Sequence, residues 1–306
     1  MLKCEQRIKN LSVPKGKIDV VLDTDAYCEI DDQYAIAYML RSCEKLNVKA
    51  IYAAPFCDYY KVQTTAEGAE KSFEEINNVL KLADEKKLVL KGAKRYLEDE
   101  KKPVISDVSR DLAERVKNYS PENPLYVVAI GAITNIASAI LLNPLVAENA
   151  VVVWLGGHAH HYHNTKEFNM EQDISAARVV FKSGVPLIQL PCMGVVSEFT
   201  LSKPEIECWL MGKNKLCDYL SKITIEEMDA CTKSEIWSKV IWDVTAVAWL
   251  LNDDDRFMMS RIITSPLPTY DNLYAVNHEG HPMRYVYSIK KNELLRDLVE
   301  KLTNAK

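Results

Sequence analysis

Ile18-Asp19-Val20-Val21-Leu22 runs directly into Asp23-Thr24-Asp25-Ala26-Tyr27-Cys28-Glu29-Ile30-Asp31-Asp32, and this junction decides the fold. A β-branched run, a polar stretch, and then apolar Tyr34, Ala37 and Tyr38 at i, i+3 and i+4 predict strand, loop and helix. Open α/β sheets bind ligands at the carboxyl ends of their strands, which is where these aspartates fall. Carboxylates this crowded raise one another's pKa unless a cation or hydrogen-bond donors neutralise them. A hard divalent ion is the simplest remedy, and calcium, taking roughly six to eight oxygens in flexible geometry, suits aspartates mixed with backbone carbonyls and waters. Magnesium is compatible with the same residue types. A solvated acidic loop that caps a helix is the plainer alternative.

Outward from this junction, apolar runs recur as strand candidates at 48–54, 88–90, 125–130, 151–155 and 185–190. Helical patterns separate them at 66–82, 106–119, 133–142 and 174–183. Strict β/α alternation predicts a mainly parallel open sheet with helices on both faces, an α/β fold. After Pro191 the pattern changes to helical segments at 204–211, 217–231 and 234–251, short extended pieces at 270–275 and 285–289, and a final helix. No repeat, low-complexity tract or linker interrupts the chain, so a single domain over 1–306 with a helical C-terminal elaboration is expected.

The composition excludes several classes. A content of 48% hydrophobic residues supports a large core, and a net charge of −5 offers no basic surface for nucleic acid or anionic membrane. No apolar stretch approaches the roughly 20 residues that span a bilayer. The opening MLKCEQRIKN is too charged for a secretory signal, so cytoplasmic residence is expected. Eight cysteines lie singly, with no C-x-x-C pair, and read as reduced thiols. Cys28 sits inside the acidic loop, where neighbouring carboxylates oppose thiolate formation, and is taken as lining a pocket.

Three further segments offer polar groups at predicted strand ends. Val127-Val128-Ala129-Ile130-Gly131-Ala132-Ile133-Thr134-Asn135-Ile136 is a strand that ends at a glycine and re-enters a helix, leaving a backbone carbonyl free to face a site. Thr134 and Asn135 read, from residue type, as helix-capping and packing groups. Trp154-Leu155-Gly156-Gly157-His158-Ala159-His160-His161-Tyr162-His163-Asn164-Thr165-Lys166-Glu167-Phe168-Asn169 is a strand followed by a loop that holds four of the six histidines. It lacks zinc-type spacing and the lysine of a P-loop, and reads as a mobile cover over a pocket. Asp243 stands at the mouth of a helix whose apolar face carries Val240, Val244, Val247 and Leu251.

Taken together and in order, these motifs resemble the inosine-uridine-preferring nucleoside hydrolase family from about residue 18 to residue 251. Asp-Thr-Asp followed by Asp-Asp resembles the family's amino-terminal signature, and Gly131 to Ala137 its Gly-x-x-Thr-Asn-Ile-Ala turn. Gly156-Gly157 with Glu167-Phe168-Asn169 resembles the middle motif, and Asp243 before Ala246-Val247-Ala248 the last. The resemblance implies calcium-dependent hydrolysis of the N-glycosidic bond of a ribonucleoside or related N-riboside. It implies Asp25, Asp32, Asp243 and the Ile130 carbonyl as calcium ligands, Asp25 as general base, and Asp31, Asn164, Glu167 and Asn169 as holders of ribose hydroxyls. Asp23 would support the loop from behind. The family also implies a homo-oligomer, dimer or tetramer.

Three positions depart from the family pattern. Five residues rather than three separate Asp25 from Asp31, adding Tyr27, Cys28 and Glu29 beside the metal. Asp58 stands near the place of a ribose-contacting asparagine. Trp242 replaces the histidine that protonates the leaving base, and an indole donates a hydrogen bond without being an acid near neutral pH. His158, His160, His161, His163 and Tyr27 are the alternative donors, and Trp242 itself is a candidate to stack on the base. Two other readings stand beside the hydrolase: a ribose- or nucleoside-binding protein that keeps the metal cradle without turnover, and a haloacid-dehalogenase-type phosphatase, whose Asp-x-Asp also follows a first strand.

Overall fold

The computed structural model describes residues 2–234 and 236–304. A short helix, α1 (Cys4–Asn10), leads into β1 (Ile18–Thr24), α2 (Asp31–Leu40), β2 (Leu46–Ala53), α3 (Thr65–Leu82), β3 (Val89–Lys91), α4 (Asp107–Arg115) and β4 (Leu125–Ala129). Next come α5 (Thr134–Leu142), α6 (Val146–Asn149), β5 (Ala150–Leu155), α7 (Phe168–Gln172), α8 (Ile174–Ser183) and β6 (Leu187–Leu190). The last third holds β7 (Thr200–Ser202), α9 (Lys203–Trp209), α10 (Lys215–Cys231), β8 (Ser238–Val240), α11 (Val244–Leu250), β9 (Met258–Thr264), β10 (Leu267–Pro268), β11 (Tyr274–Ala275), β12 (Pro282–Ile289) and α12 (Lys291–Thr303).

Eight strands form one sheet in the order β3-β2-β1-β4-β5-β6-β12-β9. All neighbours are parallel except β9, which runs antiparallel to β12 at the edge. The chain starts mid-sheet, winds outward to β3, and then crosses back to place β4 on the other side of β1. Connections leaving β1 and β4 therefore diverge, and a crevice opens between their carboxyl ends.

Side chains alternate across the strands and supply two cores. Val20, Leu22, Val128, Val151 and Val153 join α2, α11 and α12 on one face, whereas Val21, Val127 and Val152 join α4, α5 and α8 on the other. Both faces are covered, which is why these strands read as unbroken apolar runs rather than alternating ones. Local signals fix where helices begin: Ser106 and Ser109 close a capping box on α4, and the Asp173 carboxylate accepts the Ala176 N–H at the start of α8.

The mainly parallel α/β sheet matches the expectation, and the C-terminal third departs from it. Residues 234–251 do not form a single helix, and Glu235 lies outside the described residues. Ser238–Val240 instead pairs antiparallel with β7, and the Ile241 N–H donates to the Phe199 carbonyl at 2.9 Å. Backbone pairing with a partner some 40 residues earlier overrides the helical apolar pattern, and the helix starts only after Asp243. Among the described residues no helix is long and apolar enough to cross a membrane.

Candidate active site

A cavity of about 190 Å³ occupies the crevice. Its wall includes Asp25, Asp31, Asp32, Ile130, Glu167, Asn169, Trp242 and Asp243, eight of the nine residues expected from the sequence. Asn164 is the exception. Its Oδ1 accepts the Lys166 N–H at 3.0 Å, shaping the loop instead of lining the cavity.

Asp25 follows β1 directly, and Asp31 and Asp32 open α2, so one strand end and one helix start aim three carboxylates at the crevice. Asp243 arrives from the other end of the chain, at the start of α11, and its backbone N–H donates to Asp31 Oδ2 at 3.2 Å. Asp31, Asp32 and Asp243 each offer an oxygen within 4.8 Å of the others, and all three are buried. Asp25 lies beside them. Burial and then the charge of Asp32 push its carboxyl well above the usual range. Asp32 and Asp243 are likewise raised by burial and by their acidic neighbours, while Asp31 is pushed up to about 7, chiefly by burial. The Thr24 hydroxyl donates to Asp32, a contact sequence reading missed.

A set of buried, mutually repelling oxygen donors is the chemistry of a hard-cation site. The structure brings Asp31 into the tight carboxylate triad, where the resemblance had implied a ribose contact. The Ile130 carbonyl, an implied ligand, accepts a hydrogen bond from Asn169 Nδ2 at 3.2 Å and keeps a second lone pair.

Glu167 is held by the backbone: its carboxylate accepts N–H groups from Gly157 (2.7 Å), Asn169 (2.9 Å) and Met170 (3.0 Å), which orients it at the start of α7. Thr134 and Asn135 do more than cap α5, whose N-cap position has no side-chain bond. Asn135 Nδ2 donates to Asp23 Oδ1 at 2.8 Å and its Oδ1 accepts the Ala93 N–H at 2.8 Å, tying β1 to the segment after β3. Thr134 donates to Asp173 at 2.7 Å. Asp23, fully buried behind Asp25, is raised to about 7 by that burial.

The longer first loop is pinned by two lysines. Lys61 Nζ donates to the Cys28 carbonyl at 2.8 Å and meets Glu227 at 3.0 Å, while Lys239 Nζ lies 2.5 Å from Glu29 Oε2. These contacts hold Tyr27 at φ 89°, a left-handed backbone that a tyrosine adopts only under constraint. Tyr27 itself faces solvent. Asp58 does not reach the cavity, because its Oδ1 accepts the N–H groups of Tyr60, Lys61 and Val62 and so closes its own turn. Cys28 lines the cavity with its thiol pushed up by burial.

Glu29, Leu155, His158, Lys166, Phe168, Cys192 and Met193 complete the wall. Cys192 and Met193 went unread as site residues although they follow the run 185–190. A strand next to β5 must deliver its following residues to the same edge, so the β/α pattern carried that signal.

At Gly131 a Cβ would stand 2.7 Å from Asp25 Oδ1, so only glycine lets the β4 end approach the acidic cluster. Gly131→Ala should displace the Asp25 carboxylate and lower kcat by about 10²-fold, at the scale of a 1 Å misplacement. Steady-state kinetics beside a thermal melt would check this, and unchanged kcat with normal folding would refute it.

The fold and the acidic cavity define a class: an α/β protein with a carboxylate site at the topological switch point. A model of the family described as "Inosine-uridine preferring nucleoside hydrolase" matches residues 20–284, and the chain belongs to that family. It is 30% identical over 150 residues to the pyrimidine-specific ribonucleoside hydrolase RihA of Klebsiella pneumoniae (strain 342). That match spans about half the length, 47%, of each chain. Among solved structures, a plant nucleoside hydrolase, the PpNRh1 enzyme, aligns with a TM-score of 0.72 at 20% identity, covering 95% of this chain and 99% of the other. A purine-preferring ribonucleoside hydrolase from Gardnerella vaginalis aligns with a TM-score of 0.73 at 18% identity, covering 94% and 98%. These structural likenesses establish the fold. The phosphatase reading is not favoured: Asp23, the first acid of Asp-Thr-Asp, is sealed from the cavity and bonded to Asn135.

Proposed function

We propose that this protein hydrolyses the N-glycosidic bond of a ribonucleoside or related N-riboside, giving ribose and the free base, with calcium as its metal. The observation that carries the reading is the convergence of buried Asp31, Asp32 and Asp243 beside Asp25 in the wall of one cavity. Asp25, Asp32, Asp243 and the Ile130 carbonyl would hold the ion, with Asp31 drawn in by its place in the triad. Bound there, a divalent cation would acidify and orient a water molecule.

The rest of the chemistry belongs to the chain. Asp25 accepts the proton of the attacking water, a task helped by burial and the neighbouring Asp32 charge, which raise its carboxyl above the usual range. Glu167 and Asn169 receive ribose hydroxyls, each held in place by hydrogen bonds to the backbone around it. The anionic wall stabilises the positive charge that develops on the sugar as the bond breaks. Trp242, half-buried in the cavity lining, offers its ring for stacking on the base. The proposal extends to a cytoplasmic homo-oligomer, dimer or tetramer.

Ribose release from a panel of purine, pyrimidine and nicotinamide ribosides, with added calcium and again after chelation, tests the reading. Release that stops on chelation and returns with calcium is expected. Nucleoside binding without release from any member of the panel would instead identify a binding protein.

A further inference from the structure

A base leaving ribose carries the bonding electron pair away, and its departure is eased by a proton delivered as the bond lengthens. Most of the polar groups on the cavity wall have other roles or hold their protons too firmly. The Trp242 indole is not an acid at neutral pH. Burial, with neighbouring carboxylates, pushes the Cys28 and Cys192 thiols up. Asp25 and the carboxylate triad are committed to water and cation.

The histidines of the loop after β5 separate clearly. His160 has its ring 4.4 Å from both Tyr274 and Tyr285, with Nε2 2.9 Å from Gln189 Oε1, and is a packing group. His161 and His163 are exposed and do not line the cavity. His158 does line it, together with Lys166 and Glu167 of the same loop. Its ring packs on Tyr162 with centroids 5.4 Å apart, the Lys166 backbone hydrogen-bonds the imidazole, and among the described residues the buried Nδ1 has no hydrogen-bond partner.

The backbone at His158 is built to stay where it is. Gly157 has φ +74°, and a Cβ there would meet the Tyr274 hydroxyl at 2.2 Å. That hydroxyl accepts from Gln189 Nε2 at 2.7 Å and donates to the His158 carbonyl at 3.4 Å. Gln189 Nε2 also donates to the Gly156 carbonyl at 3.0 Å. The glycine pair thus seats a histidine against β6 and β11.

We propose that His158 is the catalytic residue that protonates the departing base, an inference that rests on the hydrolase reading. The C1′–N bond breaks with its electron pair moving to the base, whose nitrogen takes the ring proton of His158. Water oxygen bonds to C1′, the water's proton passes to Asp25, and exchange with solvent restores both residues.

His163 and the Lys166 backbone act directly on His158, and the other titratable groups lining its cavity are Lys166 and Glu167 of its own loop, Asp25, Cys28, Glu29, Asp31 and Asp32 from the β1–α2 segment, Cys192 after β6, and Asp243 before α11. Burial lowers its pKa, and the backbone at Lys166 partly offsets this. An acid works only while protonated, so nucleoside turnover should fall as pH rises through a value on the acid side of the ordinary imidazole.

The test compares inosine and uridine with 4-nitrophenyl β-D-ribofuranoside, whose phenolate departs without a proton, using wild type and His158→Gln loaded with calcium. We expect a loss of roughly 10²- to 10⁴-fold on the nucleosides, no comparable loss on the nitrophenyl riboside, and disappearance of the alkaline limb. Equal losses on both substrates, or none, would overturn the assignment. Should the variant fail to fold, the wild type still decides. Its ratio of nucleoside to nitrophenyl rates should fall between about pH 5 and 8, across the range of imidazole titration, and a flat ratio would overturn the proposal. Wild type inactive on all three substrates would defeat the hydrolase reading itself.

Discussion

Asp25→Asn should lower kcat for ribose release by roughly 10³- to 10⁴-fold, at the top of the range for losing a positioned general base. The side chain follows the central strand, its carboxylate fits beneath Gly131, and its pKa is raised by burial and by Asp32. Asparagine keeps the volume and one oxygen, so folding and the packing against β4 are retained while the proton acceptor is lost. The loss should appear in kcat more than in KM, because the amide still occupies its place beside the sugar. Ribose release under saturating calcium measures it. A variant within about tenfold of wild type would move the base to another residue, and the whole acid–base assignment would have to be redrawn.

The second large effect concerns stability. Asp23 and Asp31 each rise from 3.8 to about 7 in the folded, cation-free chain, chiefly through burial. Between those values the native state binds protons that the unfolded state has released. Cation-free stability is therefore highest below about pH 4 with respect to these groups and falls as pH rises toward 7, by roughly 1.4 kcal/mol per pKa unit for each group. Calcium favours the ionised forms and should reverse the trend at neutral pH. Asp31→Asn should consequently stabilise the chelated protein near pH 7.5 by a few kcal/mol while shrinking the gain in Tm expected from calcium on the proposed reading. Denaturant titrations across pH, with calcium and with chelator, would record both signs. Chelated wild type that gains stability from pH 5 to 7.5 would contradict this account.

Much of this molecule was legible before its coordinates. The run from Ile18 to Asp32 announces strand, loop and helix because apolar periodicity is a local property, and the mainly parallel sheet covered on both faces follows from β/α alternation, though not its strand order. The cavity could be foreseen to the extent that its residues sit directly after strands. What stayed hidden depends on contacts between segments remote in sequence. Asn135 looked like a helix-start residue, yet it bonds to Asp23 across the sheet, 112 residues away. Asp58 stands near the place of a ribose-contacting asparagine, and whether it substitutes was open from the sequence; in the fold it caps its own turn. Asp31 and Asp25 could not be sorted by spacing alone, since only the approach of Asp243 decides which carboxylates form the tightest group. Residues 234–251 misled because strand pairing with β7 is invisible to a helical apolar count.

The meeting of Asp31 with Asp243 across 212 residues also has a meaning for synthesis. The acidic loop emerges early from the ribosome and stays without its final partner until α11 has been made and has docked. On the proposed reading, a cation held by this cluster binds only late in the history of each polypeptide, after the two segments have met. A nascent or truncated chain ending before Asp243 carries the acidic cluster without the lock.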